Sequence, residues 1–418
     1  MKMADTQKLN EESLQMHAAN HGKLETRCKV PLENGHDLAI AYTPGVAAPC
    51  LKIKDDPKLS FEYTWRGNVV AVITDGTRVL GMGDIGAEAA MPVMEGKSVL
   101  YKKFGDIDSV PICIDTKDPD EFISIVEKLQ PSFGGVNLED ISSPKCYQIE
   151  AELIKRCQIP IFHDDQHGTA IIACAAVLGA LRFVKKDISS ARCVVNGCGA
   201  AGSAIGKLLY RLGVKDLIMI DSKGALYKGR PGHMDMAKEY LAGVTNKNLY
   251  KGDLAGAVKG ADVVIGVSKP GAITADMIRT MNDKPIVFAL ANPVPEISYE
   301  EAKAAGAAVA GTGRSDTPNQ VNNVCVFPGV FRGALDVRSS AITEEMKVAA
   351  VHAIAGLIKD EELREDYVVA GAFDRRIVPE VAAAVAKVAM EQGIARIKRD
   401  PEDIKKEAAA RIAKNWNA

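Results

Sequence analysis

The sequence predicts an α/β protein with an N-terminal region of mixed helices and strands, then a doubly wound parallel sheet, then helices at the C-terminus. Three observations carry this. Short apolar runs alternate with helical patterns from Val69 to Ala310, the signature of a parallel sheet covered by helices. A glycine-rich turn, GCGAAG at Gly197–Gly202, stands between one such run and a helix. From Val378 onward the chain is rich in alanine and lysine and reads as helices.

Taken in order, Val69–Thr74 (VVAVIT) reads as a buried strand that turns at Asp75-Gly76, and Pro111–Asp115 (PICID) as a short strand. Asp118–Gln130 has an acidic start, an early proline and apolar residues at helical spacing, so it predicts a helix. Phe133–Leu138 leads as a strand into Glu139-Asp140, and Ile159–Phe162 into Asp164-Asp165. Thr169–Val184 reads as a long apolar helix between domains. Strand Ala191–Asn196, helix Ala200–Leu212 and strand Leu217–Asp221 follow. Ala261–Val267 and Pro285–Leu290 continue the alternation, and Ala307–Ala310 adds a last short strand. The expected domains are 1–160, 161–390 and a helical tail, 391–418.

At 418 residues the chain has room for two or three domains. Hydrophobic residues make up 47%, enough for sizeable cores. The net charge of −2, from 52 basic and 54 acidic residues, leaves no excess to neutralise phosphates, so no nucleic-acid partner is expected. The N-terminus, MKMADTQKLNEE, carries no apolar signal core. The longest apolar stretch, Ala170–Leu181, falls short of the roughly 20 residues that span a bilayer. A cytoplasmic protein without membrane contact is expected, its nine cysteines reduced and mostly buried.

The pattern GxGxxG occurs twice. In the second copy Gly197, Gly199 and Gly202 follow a strand and open a helix, and the next strand ends in Asp221. That spacing, about 20 residues, suits an acid that binds the ribose hydroxyls of a dinucleotide, whose pyrophosphate sits on the helix N-terminus. Gly197, Gly199, Ala200, Ala201, Gly202 and Asp221 are therefore the candidate dinucleotide site. The first copy, Gly81, Gly83 and Gly86, lacks a following strand that ends in an acid. It reads as a tight backbone turn near the substrate.

Glu139-Asp140 and Asp164-Asp165 each follow an apolar strand, where ligands sit in parallel sheets. Either pair alone is as well read as a solvated acidic turn. Together they favour a metal, and an all-oxygen site suits Mg2+ or Mn2+. His163 and His167 frame the second pair at the i, i+4 spacing of a zinc helix. The position after the first histidine is Asp164 rather than glutamate, so they read as packing or supporting groups.

The chain resembles the malic enzymes of the short, bacterial type from about Gly22 to about Gln392. The matching motifs are YTPGVA at Tyr42–Ala47, TDGTRVLGMGDIG at Thr74–Gly86, EGKSVLY at Glu95–Tyr101 and NLEDI at Asn137–Ile141. They continue with FHDDQHGTA at Phe162–Ala170, the GCGAAG turn, ANPVPE at Ala291–Glu296 and PNQVNNVCVFPGVFRGALD at Pro318–Asp336. The resemblance implies an amino-acid-dehydrogenase-like catalytic domain, a Rossmann domain and C-terminal helices. It implies oxidative decarboxylation of (S)-malate to pyruvate and CO2, with NAD (or NADP) and Mn2+ or Mg2+, by a homodimer. Lys97 resembles the family's general base and Tyr42 its general acid. Asp164 resembles the acidic neighbour of the lysine, and Glu139, Asp140 and Asp165 the metal ligands. Arg78 resembles the arginine that grips a malate carboxylate, at a position where many short members lack one. Asn292, Asn322 and Asn323 resemble the asparagines beside substrate and nicotinamide. Longer relatives carry a further acyltransferase-like domain, which this sequence, ending at Ala418, is not expected to have.

Such chemistry asks the Lys97 pKa to fall toward neutrality, through burial and a nearby cation. Asp221 predicts NAD ahead of NADP, because a carboxylate repels a 2′-phosphate, although Ser222-Lys223, Lys228 and Arg230 lie close enough in sequence to counter it. Three other readings are open: a malolactic enzyme, a metal-independent amino-acid dehydrogenase and a non-catalytic dinucleotide sensor. Product analysis, chelator sensitivity and turnover respectively separate them.

Overall fold

A computed structural model describes residues 3–416. It holds two sheets. The first is parallel, in the order β2-β1-β3-β4, from β1 (Val69–Thr74), β2 (Asp108–Cys113), β3 (Gly135–Leu138) and β4 (Ile161–His163). Alternate β1 residues feed two cores. Val70 and Val72 pack with helices Ala87–Gly105 and Asp164–Val184, while Val69, Ala71 and Ile73 face helices Pro119–Leu129 and Lys145–Arg156. That two-sided burial explains the unbroken apolar run. Pro111 lies in the edge strand, where a missing N–H costs no ladder bond. β2 begins three residues ahead of the expected start because Asp108 pairs with Val69.

The second sheet has the order β10-β9-β8-β5-β6-β7. Its strands are β5 (Arg192–Asn196), β6 (Asp216–Asp221), β7 (Gly224–Ala225), β8 (Val263–Gly266), β9 (Ile286–Ala289) and β10 (Val309–Thr312). All pair in parallel except β7, which folds back on β6 as a two-residue strand too short to leave a periodicity. The strand order reverses between β5 and β8, and in such sheets the crevice at that switch point receives the ligand.

Helix Asp164–Val184 starts five residues before the expected Thr169 and joins the two sheets. Its 21 residues are long and apolar enough to cross a membrane, which corrects the reading of its apolar stretch as too short. Its apolar side chains from Ala170 to Val177 are, however, buried in the shared core, against helices Ala200–Arg211 and Glu344–Ala355. After β10 the chain returns to the first region. Phe327 packs 4.6 Å from Tyr101, Phe331 5.9 Å from Phe162, and Trp416 5.8 Å from Phe104.

The N-terminal segment is unlike the rest. Helices Gly35–Ala41 and Ala47–Asp55 bury no residue. Leu14, Val30, Leu32, Ile40 and Leu51 all stand exposed.

Candidate active site

The carboxyl ends of β3 and β4 deliver four carboxylates to one place, and helix Ala87–Gly105 brings Lys97 to meet them. The ammonium lies 2.7 Å from Asp164 Oδ2, 3.0 Å from Glu139 Oε1 and 4.4 Å from the centre of the Phe327 ring. Asp140 takes a left-handed backbone (φ 55°), and its N–H donates to Asp165 Oδ2 at 2.8 Å. This turn folds Glu139, Asp140 and Asp165 together, with an oxygen of each within 4.8 Å of the others. Gly168 lies one helical turn after Asp164, and a Cβ there would collide with Asp164 Oδ1.

Lys97, Glu139, Asp140 and Asp164 are all buried. Crowding of like charge out of water sets their protonation. Burial first, and then each other's charge, lifts Glu139 and Asp164 to about 7 and Asp140 to about 8, against the pull of Lys97. Burial alone depresses Lys97, but contact with Asp164 and Glu139 outweighs it, and the lysine is raised above its ordinary value. Without a cation the carboxylates dominate, so the fall expected of Lys97 calls for a cation at the cluster as well as burial.

The cluster fits a divalent cation. Its donors are all oxygen, it carries a surplus of negative charge, and Asp140 Oδ2 is buried with no hydrogen-bond partner. Among the described residues no histidine belongs to this three-carboxylate group, although His163 Nδ1 lies 3.9 Å from Asp165 Oδ2. His163 is buried and held near 4 by desolvation, while His167 bonds Glu150 at 2.9 Å.

Arg78 is exposed on the loop after β1 and donates to the Leu80 carbonyl at 3.1 Å. Burial raises Asp165, and the Arg78 charge is one of the influences that oppose the rise, so the guanidinium stands near the cluster. Asn323 lies against Gly168, with its Cβ 3.1 Å from where a methyl there would sit. Asn322 caps the short helix Asn323–Cys325, its Oδ1 accepting from Val324 at 3.0 Å. Asn292 is exposed in the loop after β9, and a Cβ on Gly81 of the first glycine turn would lie 3.0 Å from its carbonyl oxygen. That turn therefore lies against the loop after β9 of the second sheet. Tyr42 is not brought in: it is 66% exposed, and among the described residues no side-chain hydrogen bond or ring contact joins it to Lys97 or the carboxylates.

At the second glycine turn Gly197 has φ 116°, and a Cβ on Gly202 would strike the Gly197 carbonyl. A Cβ on Gly199 would meet open space, so the first turn of the helix Ala200–Arg211, with the amides of Ala200, Ala201 and Gly202, begins at an uncrowded turn. Asp221 ends β6 as expected, but Arg230 grips it through both oxygens (2.8 and 2.6 Å) and Lys238 adds a contact at 3.1 Å. Despite burial, these partners hold its pKa near 2.

Sequence reasoning missed several supports. Tyr101 donates to Asn137 Oδ1 at 2.9 Å, and Asn137 Nδ2 donates to Glu139 Oε2 at 2.7 Å, which fixes the orientation of the Glu139 carboxylate. Glu296, fully buried, accepts from the Ala291 and Ser268 amides at 3.0 and 2.6 Å and so shapes the Asn292 loop. Asn137 and Glu296 lie inside the quoted motifs, and for Asn137 a polar residue within an apolar strand was the available signal. Lys238 left none.

Comparison with known proteins agrees with this geometry. The family model for the malic enzyme N-terminal domain matches residues 21–119, and that for the malic enzyme NAD binding domain matches 166–390. A bifunctional malic/malolactic enzyme from Bacillus subtilis (strain 168) is 55% identical over 95% of this chain and 97% of its own. An NAD-dependent malic enzyme from Geobacillus stearothermophilus is 48% identical over 90% and 78%. An NADP-dependent malic enzyme from Escherichia coli (strain K12) is 49% identical over 90% of this chain and 51% of its own. The crystal structure of malic enzyme from Pyrococcus horikoshii superposes with a TM-score of 0.94 at 43% identity, covering 98% of this chain and 97% of that one. Two domain models across the chain, near-complete relatives and a near-identical fold give one conclusion: the chain belongs to the malic enzyme family.

Proposed function

We propose that the protein oxidises (S)-malate and decarboxylates it to pyruvate and CO2, with a nicotinamide dinucleotide as oxidant, at the cluster around Lys97. The observation that carries this is the packing of one lysine against four carboxylates, three of them placed to share a cation, at the mouth of a dinucleotide fold. A Mg2+ or Mn2+ held by Glu139, Asp140 and Asp165 would polarise the C2 oxygen, and the nicotinamide would take the hydride. Arg78 holds a malate carboxylate, with Asn292, Asn322 and Asn323 lining the substrate and nicotinamide side. Lys97, once relieved of its proton by Asp164, takes the proton of the C2 hydroxyl. A cation at the three ligands cancels the charge that raises Lys97, which moves the lysine toward basic function.

Tyr42 supplies the proton to C3 in this reading. Its exposure, and the exposed apolar side chains around it, support a homodimer in which this segment is covered by a second copy. Tyr42 then completes the partner's site. NAD is the preferred oxidant and NADP is accepted, because Arg230 and Lys238 neutralise the carboxylate that would repel a 2′-phosphate. The protein works in the cytoplasm.

The relative from Bacillus subtilis, bifunctional by name, favours a second outcome, lactate from malate. Product analysis decides. Malate with Mn2+ and NAD is expected to give stoichiometric pyruvate, CO2 and NADH. Lactate without net NADH would replace the first reading with the second, and no turnover of malate would refute both.

A further inference from the structure

A cavity of about 420 Å³ opens where helices Lys145–Arg156 and Asp164–Val184 meet helices Ala200–Arg211 and Met236–Val244. Helix Glu344–Ala355 lies alongside. No residue of the glycine turn or the metal cluster lines it, and neither does Asp221. Its volume is that of a small-molecule site. One part is apolar, with Leu208, Ala237 and the partly exposed Ile154, Met236 and Tyr240.

The charges in its wall do not balance locally. Glu150 is buried and fully engaged, accepting from His167 at 2.9 Å, from Gln166 at 3.1 Å and from the His163 amide at 3.0 Å. Glu344 is held by Lys347 at 2.7 Å and Arg211 at 3.4 Å. Lys207 has no carboxylate partner and lies 5.6 Å from the Tyr240 ring centre. Its burial lowers its pKa against the pull of Glu344 and Glu150, as expected of an ammonium short of solvent and counter-charge. Tyr147 also stands in the wall, but its hydroxyl is sealed from the cavity on the side of Ser203. An unmatched cation in a partly apolar cavity favours a bound oxyanion.

We infer that this cavity is a second small-molecule site, which takes a compact ligand with a carboxylate or phosphate group received by Lys207 and an apolar body against Leu208 and Tyr240. Its occupant bridges helices from both regions. It also touches the wall that steadies the metal-binding turn, since Glu150 bonds His163, Gln166 and His167 on either side of Asp164-Asp165. Binding there therefore couples to malate turnover and modulates it without competing with malate.

Benzoate and phenyl phosphate test this, with benzyl alcohol as the neutral control, on the full chain with Mn2+ and NAD. Binding is read by ligand-observed NMR and calorimetry, so the result stands apart from whether malate is the substrate. The expected result is that at least one anion binds at millimolar or better, that benzyl alcohol does not, and that saturating malate does not displace the anion. Which anion binds tells carboxylate from phosphate. Lys207→Met should weaken binding about tenfold or more, and Lys207→Arg should restore it, with basal malate turnover unchanged in both. No anion binding up to about 10 mM, displacement by malate, or equal affinity in Lys207→Met would overturn the inference.

Discussion

Lys97 is the residue whose surroundings say most. A buried lysine without partners would lose its proton readily, but this one touches two carboxylates and keeps it. Its function therefore depends on what else enters the cluster. Lys97→Ala should cut malate oxidation roughly 10²–10⁴-fold, while the affinity for the dinucleotide, read by fluorescence titration, stays the same. Near-normal turnover would remove Lys97 from the base role. The carboxyls around it give a pH signature. Glu139 and Asp164 near 7 and Asp140 near 8 hold protons that the unfolded chain releases near 4. In the metal-free protein these three groups bind more protons folded than unfolded across that window, so their contribution to stability is lost as pH rises from about 4 to 8, while the buried His163, lowered to about 4, acts the other way. A cation must displace those protons, so Mn2+ affinity should climb between pH 6 and 8 and then level off. Titrations of Mn2+ binding at stepped pH check this, and a flat profile would contradict it.

Among the elements, helix Asp164–Val184 does two jobs. Its first turn belongs to the site and the rest to the core. Gly168 sits where the two meet. Gly168→Ala forces a methyl onto Asp164 Oδ1 and crowds Asn323, so Asp164 must swing away from Lys97. Activity should drop at least tenfold, with only a modest change in melting temperature, since Ala is the better helix former. An active Gly168→Ala enzyme would show that the contact yields without consequence. The same helix marks how far the sequence could be read. Its apolar run announced the core portion, but the first turn, DDQHG, is polar and looked like a junction. Strands β1, β5 and β6 were legible because both faces are buried, which leaves an uninterrupted apolar run. β7 was not, because two residues have no period. The carboxylate pairs were legible as strand ends. Their meeting point with Lys97 was supplied by resemblance, since no local pattern ties position 97 to position 164.

At the scale of the whole molecule, the C-terminal helices fold back onto the first region and close it, while residues before Ser60 remain almost uncovered. Tyr42 lies in that uncovered part, where sequence resemblance gave it a role but not a place. If a second copy supplies the cover, mixing Lys97→Ala and Tyr42→Phe proteins should regain activity. Each hybrid dimer would hold one site with both groups intact, approaching about a quarter of wild type at random exchange. Sedimentation would show a dimer throughout. A mixture as inactive as its parts, after subunit exchange is verified, would place Tyr42 within its own chain.

The central claim is that Glu139, Asp140 and Asp165 hold a divalent cation without which malate is not oxidised. Turnover of malate with NAD, after exhaustive chelation and then across a Mn2+ titration, tests it most directly when run beside Mn2+ binding by electron paramagnetic resonance. The account predicts no detectable turnover in the chelated protein. Activity should return in step with one bound Mn2+ per chain, and Asp165→Ala should need far more Mn2+ for either signal. Full turnover in the chelated enzyme, or unchanged Mn2+ binding in Asp165→Ala, would contradict it.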